Sequence, residues 1–149
     1  MIIDDFSHII WVFFLAHKDE TFHVFSKFYR KVTNEKSFSI QNIQSDHRTE
    51  FENHDFKKFC DEKGIDHNFS APRTPQQNGI VKRKNRILEE MARTMLCESN
   101  LPRYFWAEAI NTVCYILNRT LIRPILKKTP YELWKERKPN IAYFYIFIC

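Results

Sequence analysis

The chain of 149 residues contains only 2 glycines and 6 prolines, and no Gly/Ser-rich stretch, low-complexity segment or internal repeat divides it. A flexible linker between modules and a solenoid are both excluded, and the length suits one compact domain. Long apolar runs are lacking too. The longest, residues 9–16, is too short to cross a bilayer, and no signal-peptide pattern follows Met1, so a soluble, intracellular chain without a membrane partner is expected. Cysteine is sparse and scattered. Cys60, Cys97, Cys114 and Cys149 form no CxxC pair, and no His pair lies near them at zinc-ligand spacing, which leaves reduced structural thiols as the reading. Asn68-Phe69-Ser70 and Asn118-Arg119-Thr120 match the glycosylation sequon, but without a secretory signal they read as chance matches.

Aromatic residues, in contrast, are plentiful. Fourteen Phe, 6 Tyr and 3 Trp within a 44% hydrophobic composition can fill a core, which disfavours disorder. The net charge of +5 conceals a division along the chain. Residues 1–70 carry nine Lys/Arg against twelve Asp/Glu, a net of −3, whereas residues 71–149 carry fourteen against six, a net of +8. A basic half of this kind suits a polyanion, and a solvated basic surface produces the same pattern.

The order of apolar residues predicts strands first and helices later. Ile2 and Ile3 lead into Asp4-Asp5-Phe6-Ser7, and residues 9–15 are continuously apolar, so the opening reads as two adjoining strands joined by a short turn. Asp19 is placed to cap a helix whose apolar members Phe22, Phe25, Phe28, Tyr29 and Val32 recur every three or four residues. A strand over residues 38–45 then ends at Asp46, a helix over residues 53–63 stops at Gly64, and residues 65–69 make a fourth strand. From residue 76 the pattern is helical, with segments over 76–97, 102–118 and 130–138. Strands with interleaved helices followed by helices alone imply a central sheet flanked by helices. On the first long helix, Ile80, Ile87, Leu88, Met91, Ala92 and Met95 fall in one arc as the core face. Lys82, Arg86, Glu89 and Arg93 stack on the opposite side, and Lys82, Arg86 and the flanking Arg83 form a cationic strip able to meet phosphates.

Asp46 with Thr49-Glu50-Phe51 after it, then Pro75-Gln76-Gln77-Asn78-Gly79 and Arg83-Lys84-Asn85-Arg86, resemble the integrase catalytic core of copia-type LTR retrotransposon Pol polyproteins. The likeness continues through Glu90-Met91-Ala92-Arg93-Thr94-Met95-Leu96, Leu101-Pro102, Phe105-Trp106-Ala107-Glu108-Ala109, Tyr115-Ile116-Leu117-Asn118-Arg119 and Thr129-Pro130-Tyr131-Glu132-Leu133-Trp134. Asp4-Asp5-Phe6-Ser7 is similar to the family's second strand, so the resemblance spans essentially the whole chain.

The resemblance implies an α/β, ribonuclease H-like three-layer fold with a mixed central sheet, the core occupying residues 1–140 and a post-core segment beginning over 141–149. It also implies DNA integration by metal-dependent phosphoryl transfer, with Mg2+ or Mn2+ held by three carboxylates, because hard divalent cations prefer oxygen ligands. Asp46 matches the second carboxylate and is the one catalytic and metal-ligating candidate. Thirty-five intervening residues beyond it, where the family pattern has Glu, stands Lys82. The family's first Asp lies on a strand upstream of the segment resembling Asp4-Asp5-Phe6-Ser7, so the first strand and its carboxylate are expected to be missing.

Two further departures accompany these: His47-Arg48 replaces the usual Asn-Gly after Asp46, and Phe147-Ile148-Cys149 replaces Phe-Gly-Cys. The expectation is an integrase core fragment, truncated and degenerate, that binds no metal productively and is catalytically dead. Its implied nucleic-acid contacts are Gln77, Asn78, Lys82, Arg83, Lys84 and Arg86. The alternative is a non-enzymatic nucleic-acid-binding or protein-interaction module that keeps this basic face and the cationic tail from Arg119 to Lys138. The expected partners are DNA and a second copy of the chain, with no small-molecule substrate, and the expected location of a functional copy is the nucleus.

Overall fold

The computed structural model describes residues 1–45, 54–69, 79–142 and 144. Two compact units are distinguished, one made of Met1–Phe13 with Val81–Cys149 and the other of Phe14–Ile80.

The first unit opens with a short antiparallel hairpin, β1 (Ile2–Ile3) against β2 (Ile10–Trp11), in which Ile2 pairs with Trp11 and Ile3 with Ile10. Its turn is built by Asp4, whose carboxylate accepts hydrogen bonds from both the backbone N–H and the hydroxyl of Ser7 at 2.7 Å. A short acidic side chain that folds back on its own backbone is a strong turn former. His8 completes the reversal with φ of 60°, and its N–H donates to the Asp4 carbonyl at 2.8 Å. The Asp4-Asp5-Phe6-Ser7 motif is therefore a turn, and regular pairing stops at Trp11, short of the strand to residue 15 that the continuous apolar run predicts. The run differs because Phe14 and Leu15 are exposed and bury nothing that would extend the ladder.

Helix α3 (Gly79–Glu98) and helix α4 (Trp106–Thr120) close over β2. Ile10, Leu88, Ala92, Leu96, Ala109, Ile110, Val113, Cys114 and Leu117 form their common core. The chain passes from α3 to α4 through Asn100, at φ of 52°, and a 3-10 turn at Arg103–Phe105. Helix α5 (Pro130–Lys135) begins with a complete capping box: the Thr129 hydroxyl accepts from the Glu132 N–H, and the Glu132 carboxylate accepts from the Thr129 N–H. Proline at the first helical position has no N–H to leave unpaired there. Trp134 on α5 is buried and meets Trp11 edge-on, with ring centroids 4.9 Å apart.

The second unit comprises helix α1 (Thr21–Lys36), strand β3 (Asn42–Ser45), helix α2 (His54–Lys63) and strand β4 (Asp66–Phe69). β3 and β4 run parallel, as a strand–helix–strand crossover requires. Phe25, Phe28, Tyr29 and Val32 from α1 and Phe56, Cys60 and Ile65 are buried, and Phe59 receives the ring edges of Phe22, Phe25 and Tyr29. Gly64 ends α2 at φ of 66°, the left-handed conformation that a side chain would strain. Asp19 does not cap α1. It lies inside a 3-10 turn, Lys18–Glu20, that occupies the capping position, and the Glu20 carboxylate accepts the Ala16 N–H instead. Among the described residues no helix is long and apolar enough to cross a membrane.

Candidate nucleic-acid interface

Helix α3 sets the geometry of the cationic strip. Leu88, Ala92 and Leu96 repeat at i, i+4 and bury one face, with Ile87 and Met95 packed alongside. Two members of the expected core arc fall outside it: Ile80 is 41% exposed and Met91 37%. Periodicity fixes an angle around the axis, but the buried stretch begins only at Leu88, about two turns beyond Ile80.

Lys82, Arg83 and Arg86 are exposed, as a wet face demands, whereas Lys84 is half-buried. Lys84 lies four residues before Leu88 and so on the core-facing side, which makes it a different kind of cation from its neighbours. Arg86 donates from Nε to the Glu90 carboxylate at 2.8 Å one turn further on, and that bond raises its pKa above the ordinary value. Asn85 likewise donates to Glu89 at 2.6 Å. Of the four basic residues, Arg86 is thus held by a carboxylate, and Lys82, Arg83 and Lys84 have no ion pair among the described residues.

Around Lys84 positive groups accumulate. Burial, then the like charge of Arg123, lowers the Lys84 ammonium below its ordinary pKa. Burial followed by Arg123 and Lys84 also holds the His8 imidazole low, against the opposing pull of Asp5 and Asp4. Further along the basic half, the Arg119 guanidinium lies 3.5 Å over the Tyr115 ring and 4.5 Å from that of Tyr131. His8 is not legible from the sequence as part of this surface, because only the hairpin turn carries it towards residues seventy and more positions later.

Asp46, Gln77 and Asn78 lie outside the described residues, as do His47-Arg48, Thr49-Glu50-Phe51 and Phe147-Ile148-Cys149. Just before Asp46, the Ser45 hydroxyl and the His67 Nε2 hydrogen-bond at 2.8 Å, tying the last residue of β3 to β4. Burial lowers the His67 pKa. Among the described residues no three His, Cys, Asp or Glu side chains converge as a metal-ligand group. The second sequon is spoken for: the Asn118 side chain is buried and bonded to the Ile10 backbone.

Residues 1–75 match the family model described as the integrase core domain. The chain belongs to the integrase core domain family. Over 147 residues, 99% of its length, it is 36% identical to the retrovirus-related Pol polyprotein from transposon TNT 1-94 of Nicotiana tabacum. It spans about a tenth of these curated polyproteins, 11% of that one and 10% of the one from transposon RE2 of Arabidopsis thaliana. The copia-type resemblance is therefore met across nearly the whole integrase-like chain.

Solved structures give the same architecture. The simian T-cell lymphotropic virus intasome in complex with the PP2A regulatory subunit B56 gamma superposes with a TM-score of 0.72, at 19% identity, over 93% of this chain and 48% of that one. The HTLV-2 integrase catalytic core in complex with magnesium, in its trimeric form, superposes at 0.64, with 22% identity, over 87% of this chain and 79% of that one. The fold of this integrase core is the ribonuclease H-like fold of retroviral integrase catalytic cores. The HTLV-2 integrase core is in complex with magnesium in both a trimeric and a dimeric form.

Proposed function

We propose that this chain is an integrase core that engages DNA through its basic face but does not join it. The observation that carries the reading is Lys82: an exposed ammonium on α3, separated by thirty-five residues from Asp46, where the family pattern puts a carboxylate. A protonated amine has no lone pair to offer a cation. At about 4 Å and an effective dielectric near 20, two unit charges interact by about 4 kcal/mol, and a divalent ion doubles that figure, here as repulsion. With Lys82 in the place of a carboxylate, the donor set does not fit a pair of divalent ions. Glu89 does not replace the lost ligand: it accepts from Asn85 and lies seven residues along the helix, about 10 Å away at 1.5 Å per residue.

The basic face retains what DNA binding needs. Lys82, Arg83 and Lys84 offer positive charge that no carboxylate among the described residues claims, and each phosphate they neutralise adds a salt-dependent increment to affinity. Strand-transfer assays on duplex oligonucleotides with Mg2+ or Mn2+ are expected to yield no joined product, while the chain shifts the same duplexes at low salt. Robust joining would overturn the inactive reading. Absence of binding at low salt would overturn retained DNA engagement.

A further inference from the structure

Between Asn118 and Thr129 the chain carries Arg119, Arg123, Lys127 and Lys128 and no Asp or Glu. This stretch leaves α4 at Leu121, whose extended backbone stops the helix, and then folds back sharply. The Arg123 N–H donates to the Lys128 carbonyl at 2.9 Å, and the Lys127 N–H donates to the Arg123 carbonyl at 2.8 Å. Arg123 and Lys128 form a β-bridge, Lys127 takes φ of 49°, and Pro124 fixes its own φ. The tip is therefore a closed, stiff turn.

Two of its isoleucines stand out into solvent, while Leu126 is half-buried. Ile125 is 87% exposed and Ile122 59%. One or two isoleucines on a narrow turn are far too little for a stable protein–protein interface, which needs about 800 Å² on each partner. They are equally short of the apolar face with which an interfacial helix lies in a membrane. A single rigid aliphatic side chain flanked by cations is nevertheless enough to insert between stacked bases, with the cations on the adjoining phosphates.

The charge around the turn fits that use. Arg123 and Lys127 have no carboxylate partner among the described residues, whereas Lys128 shares its field with Glu132. Arg123 acts on Lys84 and His8, so the turn continues the basic surface that begins on α3. Crowded like charges of this sort are relieved by a polyanion.

We propose that the turn from Leu121 to Lys128 is a DNA wedge, in which Ile125 enters a base step and kinks the duplex while Arg123 and Lys127 hold the flanking phosphates. The proposal rests on DNA being the partner, as above. It adds a second contact element and a deformation that the strip on α3 does not supply.

The test uses the full chain with a duplex of about 20 base pairs bearing a fluorescence donor and acceptor at its ends, since a kink anywhere shortens the end-to-end distance. Wild type is expected to raise energy transfer on binding. Ile125→Ser, at a position too exposed to disturb folding, is expected to abolish that rise and weaken binding about tenfold, on the scale of one aliphatic side chain returned to water. Ile141→Ser, another exposed isoleucine in the same unit, serves as the control and is expected to change neither. Arg123→Ala with Lys127→Ala is expected to lower the salt slope by about 2.

Ile125→Ser binding and bending as wild type does would overturn the wedge, and so would weaker binding without any wild-type kink. A change confined to oligomeric state on sedimentation would overturn it as well. Wild type failing to bind duplex at low salt sinks the DNA reading together with the wedge, whereas binding that is indifferent to Ile125 sinks the wedge alone.

Discussion

The Asn118 carboxamide satisfies both backbone polar groups of Ile10: its oxygen accepts the Ile10 N–H at 2.9 Å and its nitrogen donates to the Ile10 carbonyl at 2.8 Å. One side chain on α4 thus stands in for a neighbouring strand along β2, and the Cys114 thiol adds a second donor to the same carbonyl at 3.3 Å. Burial drives that thiol's pKa up to about 11, so it remains a neutral donor at physiological pH.

Asn118→Leu, similar in volume, should leave the buried Ile10 N–H unpaired and its carbonyl with the Cys114 thiol alone, lowering stability by about 1–3 kcal/mol for the orphaned N–H. Urea unfolding followed by tryptophan fluorescence reads this directly, and a loss below about 1 kcal/mol would show that solvent reaches Ile10.

Glu132 gives a dependence on pH whose sign is fixed. Its carboxyl is held below the usual value, first by the Thr129 N–H and then by the Thr129 hydroxyl. A depressed folded pKa contributes stability that is present above the unfolded pKa and is lost as pH falls through the folded one. The melting temperature should therefore drop on acidification below about pH 4.5, where an unperturbed Glu titrates, and Glu132→Gln should flatten that part of the profile. Thr129→Ala removes the other half of the box and is expected to cost about 1 kcal/mol at neutral pH.

Glu90 competes with phosphate for Arg86. Glu90→Gln frees the guanidinium and removes a negative charge from the strip, so duplex affinity should rise several-fold at low salt and converge with wild type at high salt. Affinity unchanged by Glu90→Gln at low salt would mean that Arg86 stays out of the interface.

Lys84 and His8 can be separated by titration. Lys84→Met leaves the burial of His8 in place but removes one of the like charges acting on it, so the imidazole pKa should rise without regaining its ordinary value. An NMR titration of the His8 ring protons checks this, and an unmoved pKa would place the Lys84 ammonium away from the hairpin.

Much of this architecture can be read from residue order, and the exceptions have physical causes. Gly64 marks the end of α2 because a left-handed C-terminus favours glycine, and the spacing of Leu88, Ala92 and Met95 places the buried face of α3. Residues 9–15 mislead because apolarity alone does not supply a pairing partner, and only Ile10 and Trp11 find one. Asp19 misleads because a 3-10 turn occupies the place where its side chain would cap. The strip on α3 reads as one face, yet Lys84 departs from it, since a helical position on the core side takes its surroundings from elements distant in sequence. Lys82 is legible as an exposed position on α3, whereas the count that gives it a role starts from Asp46, outside the described residues.

The bond between Ile10 and Asn118 spans 108 positions of chain, while the second unit is a continuous segment, Phe14–Ile80. On a ribosome the continuous unit has its whole sequence in hand early. The hairpin, made before that unit, cannot be completed until α4 has emerged, and for that interval its Ile10 N–H and carbonyl depend on water or a chaperone. Strand β2, synthesised ahead of the second unit, is secured only after that unit and the helix beyond it.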